Sequence, residues 1–241
     1  MTKKENFLNG LKDGIPICLG YFAVSFAFGI QAADINLSPF QAGLLSLLNV
    51  TSAGQFAGLA VIASQGSYIE MAMLQAVINL RYLLMSAALS QKLDPDTPTY
   101  HRLGIAFGVT DEIFGISVLR RGMLSPFYSY GATIISVFGW VSGTVTGAAA
   151  GEILPQRLIS ALGIALYGMF IAIIIPPARE SRPVLITVIA GMLISAVFTY
   201  APLMRDLSGG MRIIIVTVLV AAAAAVWRPV PPVGSRQHEN A

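Results

Sequence analysis

Apolar residues run along this chain in blocks of membrane-span length. The windows 14–33, 35–69, 122–151, 158–178 and 183–204 contain no charge, and 207–227 contains only Arg212. Two further stretches, 71–91 and 103–119, have similar length but carry charges at their centres. A helix of about 20 apolar residues crosses a bilayer, so the pattern predicts an all-α polytopic membrane protein with about eight spans. The first window is too long for a signal peptide and no A-x-A site closes it, so it reads as a retained span. Residues 1–13 then form a cytoplasmic N-terminal segment, 14–227 a single transmembrane domain, and 228–241 a Pro-rich, polar tail expected to be disordered and cytoplasmic. "IIPPA" at 174–178 reads as the end of the sixth span, and "DPDTP" at 94–98 as a turn.

Within 41–63 the centre is small and polar: Asn49, Thr51, Ser52, Gly54, Gln55 and Gly58. The centre of 131–151 is alike, with Gly139, Ser142, Gly143, Thr144, Thr146 and Gly147. Glycine loosens a helix and hydroxyl or amide side chains can take up the backbone groups that a break releases, so each segment is expected to be a discontinuous helix facing protein or water. With spans one to three and four to six as units of odd length, the second unit is inverted, the pattern of many secondary transporters. "FAVSFAFGI" at 22–30 echoes "FGVTDEIFGI" at 107–116 in that alignment.

The charged centres point to the chemistry. Arg81 lies midway along 71–91, and Asp111 and Glu112 midway along 103–119. A charge at the bilayer centre costs from about 2.5 kcal/mol on insertion scales to 10 or more on a lone helix, so these groups are expected to meet. Gln75, Asn79, Tyr82, Ser86 and Ser90 share one helical stripe, whereas Arg81 lies about 200° round from Asn79 at about 100° per residue. Two carboxylates against one guanidinium leave a spare acid able to take up and release a proton. The sequence therefore nominates Ser52, Gly54, Gln55, Asn79, Gly143 and Thr144 for substrate binding, and Arg81, Asp111 and Glu112 for proton or ion coupling. Phe56, Phe107, Phe114 and Trp140 are candidate apolar walls. Ends of half-helices would meet a zwitterion, amides on its carboxylate and carbonyls on its ammonium. The alternative is a non-transporting membrane scaffold or assembly subunit whose charged centre docks a partner helix.

Composition agrees with a membrane class: 55% hydrophobic and 11% charged, against about 25% charged in soluble domains. The net charge of +3 sits between spans and reads as orientation, not nucleic-acid binding. An eight-span chain with both termini cytoplasmic puts Lys3, Lys4, Lys12, Arg120, Arg121, Arg179, Arg182, Arg228 and Arg236 inside, against Lys92, Arg102, Arg157, Arg205 and Arg212 outside. Cys18 is the lone cysteine, which excludes an intramolecular disulfide or a cysteine metal cluster. No Walker A, HExxH or GxSxG motif occurs, so no enzyme and no cofactor are expected.

Four stretches carry a resemblance: "DGIPICLGYFAVSFAFGIQA" near the start, "SAGQFAGLAV" at 52–61, "NLRYLLMS" at 79–86 and "GVTDEIFG" at 108–115. Over about residues 10–227 the chain resembles the AzlC-type branched-chain amino-acid permeases, the large subunits of two-component exporters. The resemblance implies export of branched-chain amino acids such as valine, with methionine as a further candidate. It also implies a bacterial inner-membrane location, a small AzlD-type membrane subunit as partner, and no ATP-binding domain. It places Gly54, Gln55, Asn79, Arg81, Thr110, Asp111 and Glu112 in the functional core.

Overall fold

The computed structural model describes residues 2–151, 171, 174–175, 178–201, 207 and 209–227. The expected sixth span 158–178, apart from isolated positions, and the tail 228–241 lie outside the described residues. The described chain is helical: α1 (Lys3–Asp34), α2 (Pro39–Leu48), α3 (Ser52–Ala63), α4 (Tyr68–Lys92), α5 (Thr99–Phe107), α6 (Asp111–Leu119), α7 (Pro126–Gly151), α8 (Arg182–Tyr200) and α9 (Gly209–Trp227). Of these, α1, α4, α7 and α8 are long and apolar enough to cross a membrane. Polar residues start the helices: Thr2 with Glu5 and Ser38 with Gln41 form reciprocal capping boxes, and Ser67 accepts the Glu70 amide at the head of α4. Because α1 begins at Lys3, residues 3–13 belong to the same continuous helix as the first apolar window.

The core of the bundle is a parallel pair, α1 and α7. Gly10 and Gly14 lie against Tyr128 and Ala132, Gly139 against Cys18, and Gly29 against Thr144 and Ala148. The register advances together along both helices, so they run the same way. Small residues let their backbones touch, and nothing larger fits. The expected break in 131–151 is therefore absent: α7 is one continuous helix of 26 residues. The hydroxyls at its centre bond within the helix, Thr144 to the Trp140 carbonyl at 2.9 Å and Thr146 to that of Ser142 at 2.7 Å. The small and polar residues there serve packing.

The other expected break is present. Helix ends at Leu48 and resumes at Ser52, with Asn49–Thr51 extended between. Ala42 packs with Phe28, Ala32 and Ala148, near the ends of α1 and α7, and Ser46 then meets Thr144 at 2.7 Å. Past the break, Gln55 reaches Trp140, and Leu59 returns to the Phe28–Ala148 cluster. The pair α2–α3 thus enters and leaves at one end of the bundle. At about 15 and 18 Å, neither half could cross a hydrocarbon core of about 30 Å.

Helix α4 runs antiparallel to α3, with Gln75 on Gly54 and Asn79 on Thr51, and so travels to the end where α1 and α7 begin. There Lys92 donates to the carbonyls of Val118 and Arg120, and Arg102 to the hydroxyl and carbonyl of Ser90. From that end α5 climbs until Phe107 and Val109 sit beside Asn79 and Tyr82. Asp111 meets Arg81, and α6 descends until Arg120 meets Asp13 near the start of α1. Segment 103–119 is therefore a second hairpin, entering from the opposite end, and not a span. The same holds for 35–69, so the expected eight crossings overcount.

One crossing followed by one hairpin makes each inverted unit: α1 with α2–α3, then α4 with α5–α6. This replaces the expected units of three spans. The sequence echo belongs at the two breaks, Asn49-Val50-Thr51 and Gly108-Val109-Thr110, and not at 22–30, which lies inside continuous α1. Helix α9 packs on α3, α4 and α8, whereas α8 has no buried residue.

Candidate functional site

The two hairpins place the N-termini of α3 and α6 near the midpoint of α4, facing each other from opposite ends. Thr51 and Thr110 occupy the same position, each the N-cap of its half-helix. Their hydroxyls are used differently. Thr110 Oγ1 accepts the Ile113 amide at 3.3 Å, capping α6. Thr51 Oγ1 donates to Asn79 Oδ1 at 2.5 Å, so α3 has no side-chain cap. Asn79 donates onward to Gln75 at 3.0 Å, and Gln75 to the Gly54 carbonyl at 2.8 Å, tying α3 to α4.

A cavity of about 740 Å³ opens between these ends. Its polar wall includes Ser52, Arg81, Thr110, Asp111, Glu112 and Tyr21, and its apolar wall includes Ile17, Val24, Val50, Val77, Ile78 and Trp140. Arg81 pairs with Asp111 through NH1, donates to the Tyr82 hydroxyl at 3.2 Å, and lies over that ring at 4.9 Å. The Tyr21 hydroxyl lies 2.6 Å from both Glu112 Oε2 and Thr110 Oγ1. Its ring meets Trp140 edge-on at 5.3 Å. Behind this wall Trp140 Nε1 donates to Gln55 Oε1 at 2.6 Å and Gln55 Nε2 to Ser46 at 3.0 Å.

Of the nominated residues, the structure brings Ser52, Arg81, Asp111, Glu112 and Trp140 to this cavity. Gln55 stands behind Trp140 and is 1% exposed. Gly54 lies under Gln75, where a Cβ would come within 2.5 Å of its oxygen. Asn79 and Phe107 line a smaller cavity of about 160 Å³ on the far side of Val50 and Tyr82. Gly143 packs against Phe22 and Ser25, Thr144 against Ser46, Phe56 against Phe28, and Phe114 beside the Leu89–Tyr128 cluster. Sequence reasoning missed Tyr21 and Thr217, both on the cavity wall. A lone phenol midway along an apolar span was the available signal for the first.

The family model described as AzlC protein matches residues 16–154, more than half the chain and every residue lining this cavity except Thr217. The chain belongs to the AzlC family. A membrane protein of Archaeoglobus fulgidus is 33% identical over 178 residues, 73% of this chain and 78% of that relative. The inner membrane protein YgaZ of Escherichia coli is 27% identical over 232 residues, 93% of each chain. A Helicobacter pylori membrane protein is 25% identical over 156 residues, 61% of this chain and 67% of its own length. No solved structure matches the chain.

Proposed function

We propose that this AzlC protein is a secondary transporter that exports branched-chain amino acids across the inner membrane, coupled to the proton gradient and working with a small AzlD-type subunit. The AzlC family is associated with branched-chain amino-acid transport. The observation that carries the reading is the mid-bundle cavity, whose two polar ends differ in sign and whose remaining wall is aliphatic. The open N-terminus of α3 suits a carboxylate, because its first amides lack a side-chain cap and the helix dipole is positive there. Carbonyls at a C-terminal end, expected for the ammonium, do not face the cavity from these hairpins, since both half-helix ends here are N-termini. Asp111 and Glu112 supply that negative charge instead, and Val24, Val50, Val77 and Ile78 take the branched side chain.

With Asp111 engaged by Arg81, Glu112 is the better placed proton carrier, held by Tyr21. Hairpins from opposite ends supply two gates around one fixed site. Orientation follows from charge: Lys3, Lys4, Lys12, Lys92, Arg102, Arg120 and Arg121 share the bundle end where α1 begins, and residues 35–69 at the other end carry none. The end where α1 begins is the cytoplasmic one, and it includes Lys92 and Arg102, which the eight-span count puts outside. The inner-membrane assignment follows the name of the Escherichia coli relative. Leu80, Leu83 and Leu84, exposed around Arg81, offer the small subunit an apolar face.

The test is valine flux in vesicles holding the purified pair, with and without a pH gradient. Wild type should move valine and respond to the gradient, and Glu112→Gln should move it without response. Absence of amino-acid movement under every gradient refutes the transporter reading.

A further inference from the structure

Three serine hydroxyls, Ser117 on α6 and Ser129 and Ser136 on α7, have no hydrogen-bond partner among the described residues. Each is at most 2% exposed. An unpaired buried hydroxyl costs about 1–3 kcal/mol, and native proteins tolerate few. The other polar side chains of α7 show that the helix offers a remedy: Ser142, Thr144 and Thr146 bond the carbonyl one turn back. Ser129 and Ser136 make no such bond.

Their positions fall along one line. Ser129, Ser136 and Trp140 are seven and four residues apart, which at about 100° per residue keeps them within about 40° of one another. Ala132 and Gly139, on one side of that line, face α1, and Thr133, on the other, faces Gly108. The line therefore looks into the seam that α6 closes between α1 and α7. On α6, Thr110, Ile113 and Ser117 form the buried stripe, and Thr110 touches Tyr21 of α1.

Titratable groups close both ends of the seam. At the cavity stand Glu112 and Tyr21, with Asp111, Arg81 and Tyr82 beside them. At the outer end Asp13 accepts from Tyr128 at 2.9 Å and from Arg120 at 3.4 Å, and Arg120 lies over the Tyr128 ring at 4.1 Å. Between them, residues 14–20, 113–119 and 129–139 carry no charge that would bar a cation, and Cys18 lies on the α1–α7 side against Gly139. Along α6 the axial steps are about 7.5 Å from Glu112 to Ser117 and about 4.5 Å from Ser117 to Arg120. Hydrogen-bonded oxygens sit about 2.8 Å apart, so axial steps of this size are of the order that one or two waters span.

We propose that this seam is the route by which a proton travels between Glu112 and the bundle end at Asp13, the hydroxyls of Ser117, Ser129 and Ser136 holding a short file of water. The proposal rests on the proton-coupled transport reading above. It assigns no substrate contact to the serines, which separates the route from the site.

The decisive variants are pairs of equal shape. Ser136→Val and Ser117→Val remove the hydroxyl, and Ser136→Thr and Ser117→Thr keep it. In vesicles, valine-driven proton flux read by a pH-sensitive dye should fall about tenfold in the Val variants, with valine equilibrium exchange held within about twofold. The Thr variants should retain both. Equal proton flux in Val and Thr variants overturns the route, as does a loss of exchange in step with flux, which would make the serines structural. Should the branched variants fail to fold, the double variant Ser117→Ala/Ser136→Ala replaces them, and undiminished flux in it overturns the route. A wild type that exchanges valine without moving protons defeats the coupling itself. A proton-coupled wild type with fully competent Val variants defeats the route alone.

Discussion

Gly29→Ala adds one methyl where α1 and α7 touch, and its cost can be worked from the seam. A Cβ at Gly29 would lie 2.1 Å from the Thr144 carbonyl oxygen and 2.6 Å from the Ala148 nitrogen. Both are backbone atoms of a continuous helix, so no side chain can swing aside. Restoring ordinary contact at 3.4 Å requires the helices to part by about 1.3 Å at that level. Such a shift also stretches the 2.7 Å bond from Ser46 to Thr144, which seats α2 on α7. Overpacking of this kind costs about 1–3 kcal/mol and the lost bond about 1, for a total of about 2–4 kcal/mol. Gly115→Ala is the control, because its Cβ meets nothing within 4 Å. There the same exchange should stabilise by about 0.5–1 kcal/mol through backbone entropy and helix propensity. Helical circular dichroism against denaturant, in one detergent, reads both midpoints. If Gly29→Ala matches or exceeds wild type, the parallel α1–α7 seam is not as close as described and the register argument for both hairpins fails with it.

Gln55→Leu should destabilise by about 1–3 kcal/mol in the same unfolding assay, because it strands the buried Trp140 Nε1 and leaves Ser46 without its amide donor. Tyr21→Phe keeps the edge-on contact with Trp140 but deletes the hydroxyl shared by Glu112 and Thr110. Its unfolding midpoint should move little while the ratio of protons to valine carried in vesicles drops; an unchanged ratio would count against Glu112 as carrier. Arg81→Lys cannot both hold Asp111 and spread over the Tyr82 ring, so valine binding by calorimetry should weaken about tenfold. Binding at wild-type strength would show that the guanidinium serves the fold and not the cavity.

The charged pair was legible because ionised residues in an apolar run are few and must meet. Arg81 and Asp111 do so. The break at Asn49–Thr51 was legible for a related reason, an amide and two hydroxyls, Asn49, Thr51 and Ser52, crowded together at span depth. The false break in 131–151 arose from the same composition, since glycine and hydroxyls serve a packing seam as well as a broken helix. Spacing separates the cases: Gly139, Gly143, Gly147 and Gly151 recur every four residues, one face of an intact helix. The hairpin at 99–119 hid behind its length, although Thr110 followed by Asp111 and Glu112 is a helix-start signature. Reading that start would have split the segment and exposed the repeat of Val-Thr at both breaks. Whether such a pair crosses or turns back depends on contacts far apart in sequence, Ser46 with Thr144 and Lys92 with Arg120 among them, which local pattern does not encode.

Two inverted units would by symmetry present two equivalent helix N-termini to the cavity, and that arrangement suits an anion better than a zwitterion. The chain departs from symmetry at the first residues of each half-helix. Beyond Thr51 come Ser52 and Ala53, uncharged, and the Thr51 hydroxyl is drawn away to Asn79. Beyond Thr110 come Asp111 and Glu112, and the Thr110 hydroxyl closes the α6 end. One terminus thus stays open and positive while the other is capped and overlaid with carboxylates, so a common scaffold acquires opposite ends. Arg81 adds to this by neutralising one acid through a direct pair, while Glu112 has no such cation and is held by the Tyr21 hydroxyl. The difference between the halves, more than the inverted repeat itself, gives the cavity its polarity.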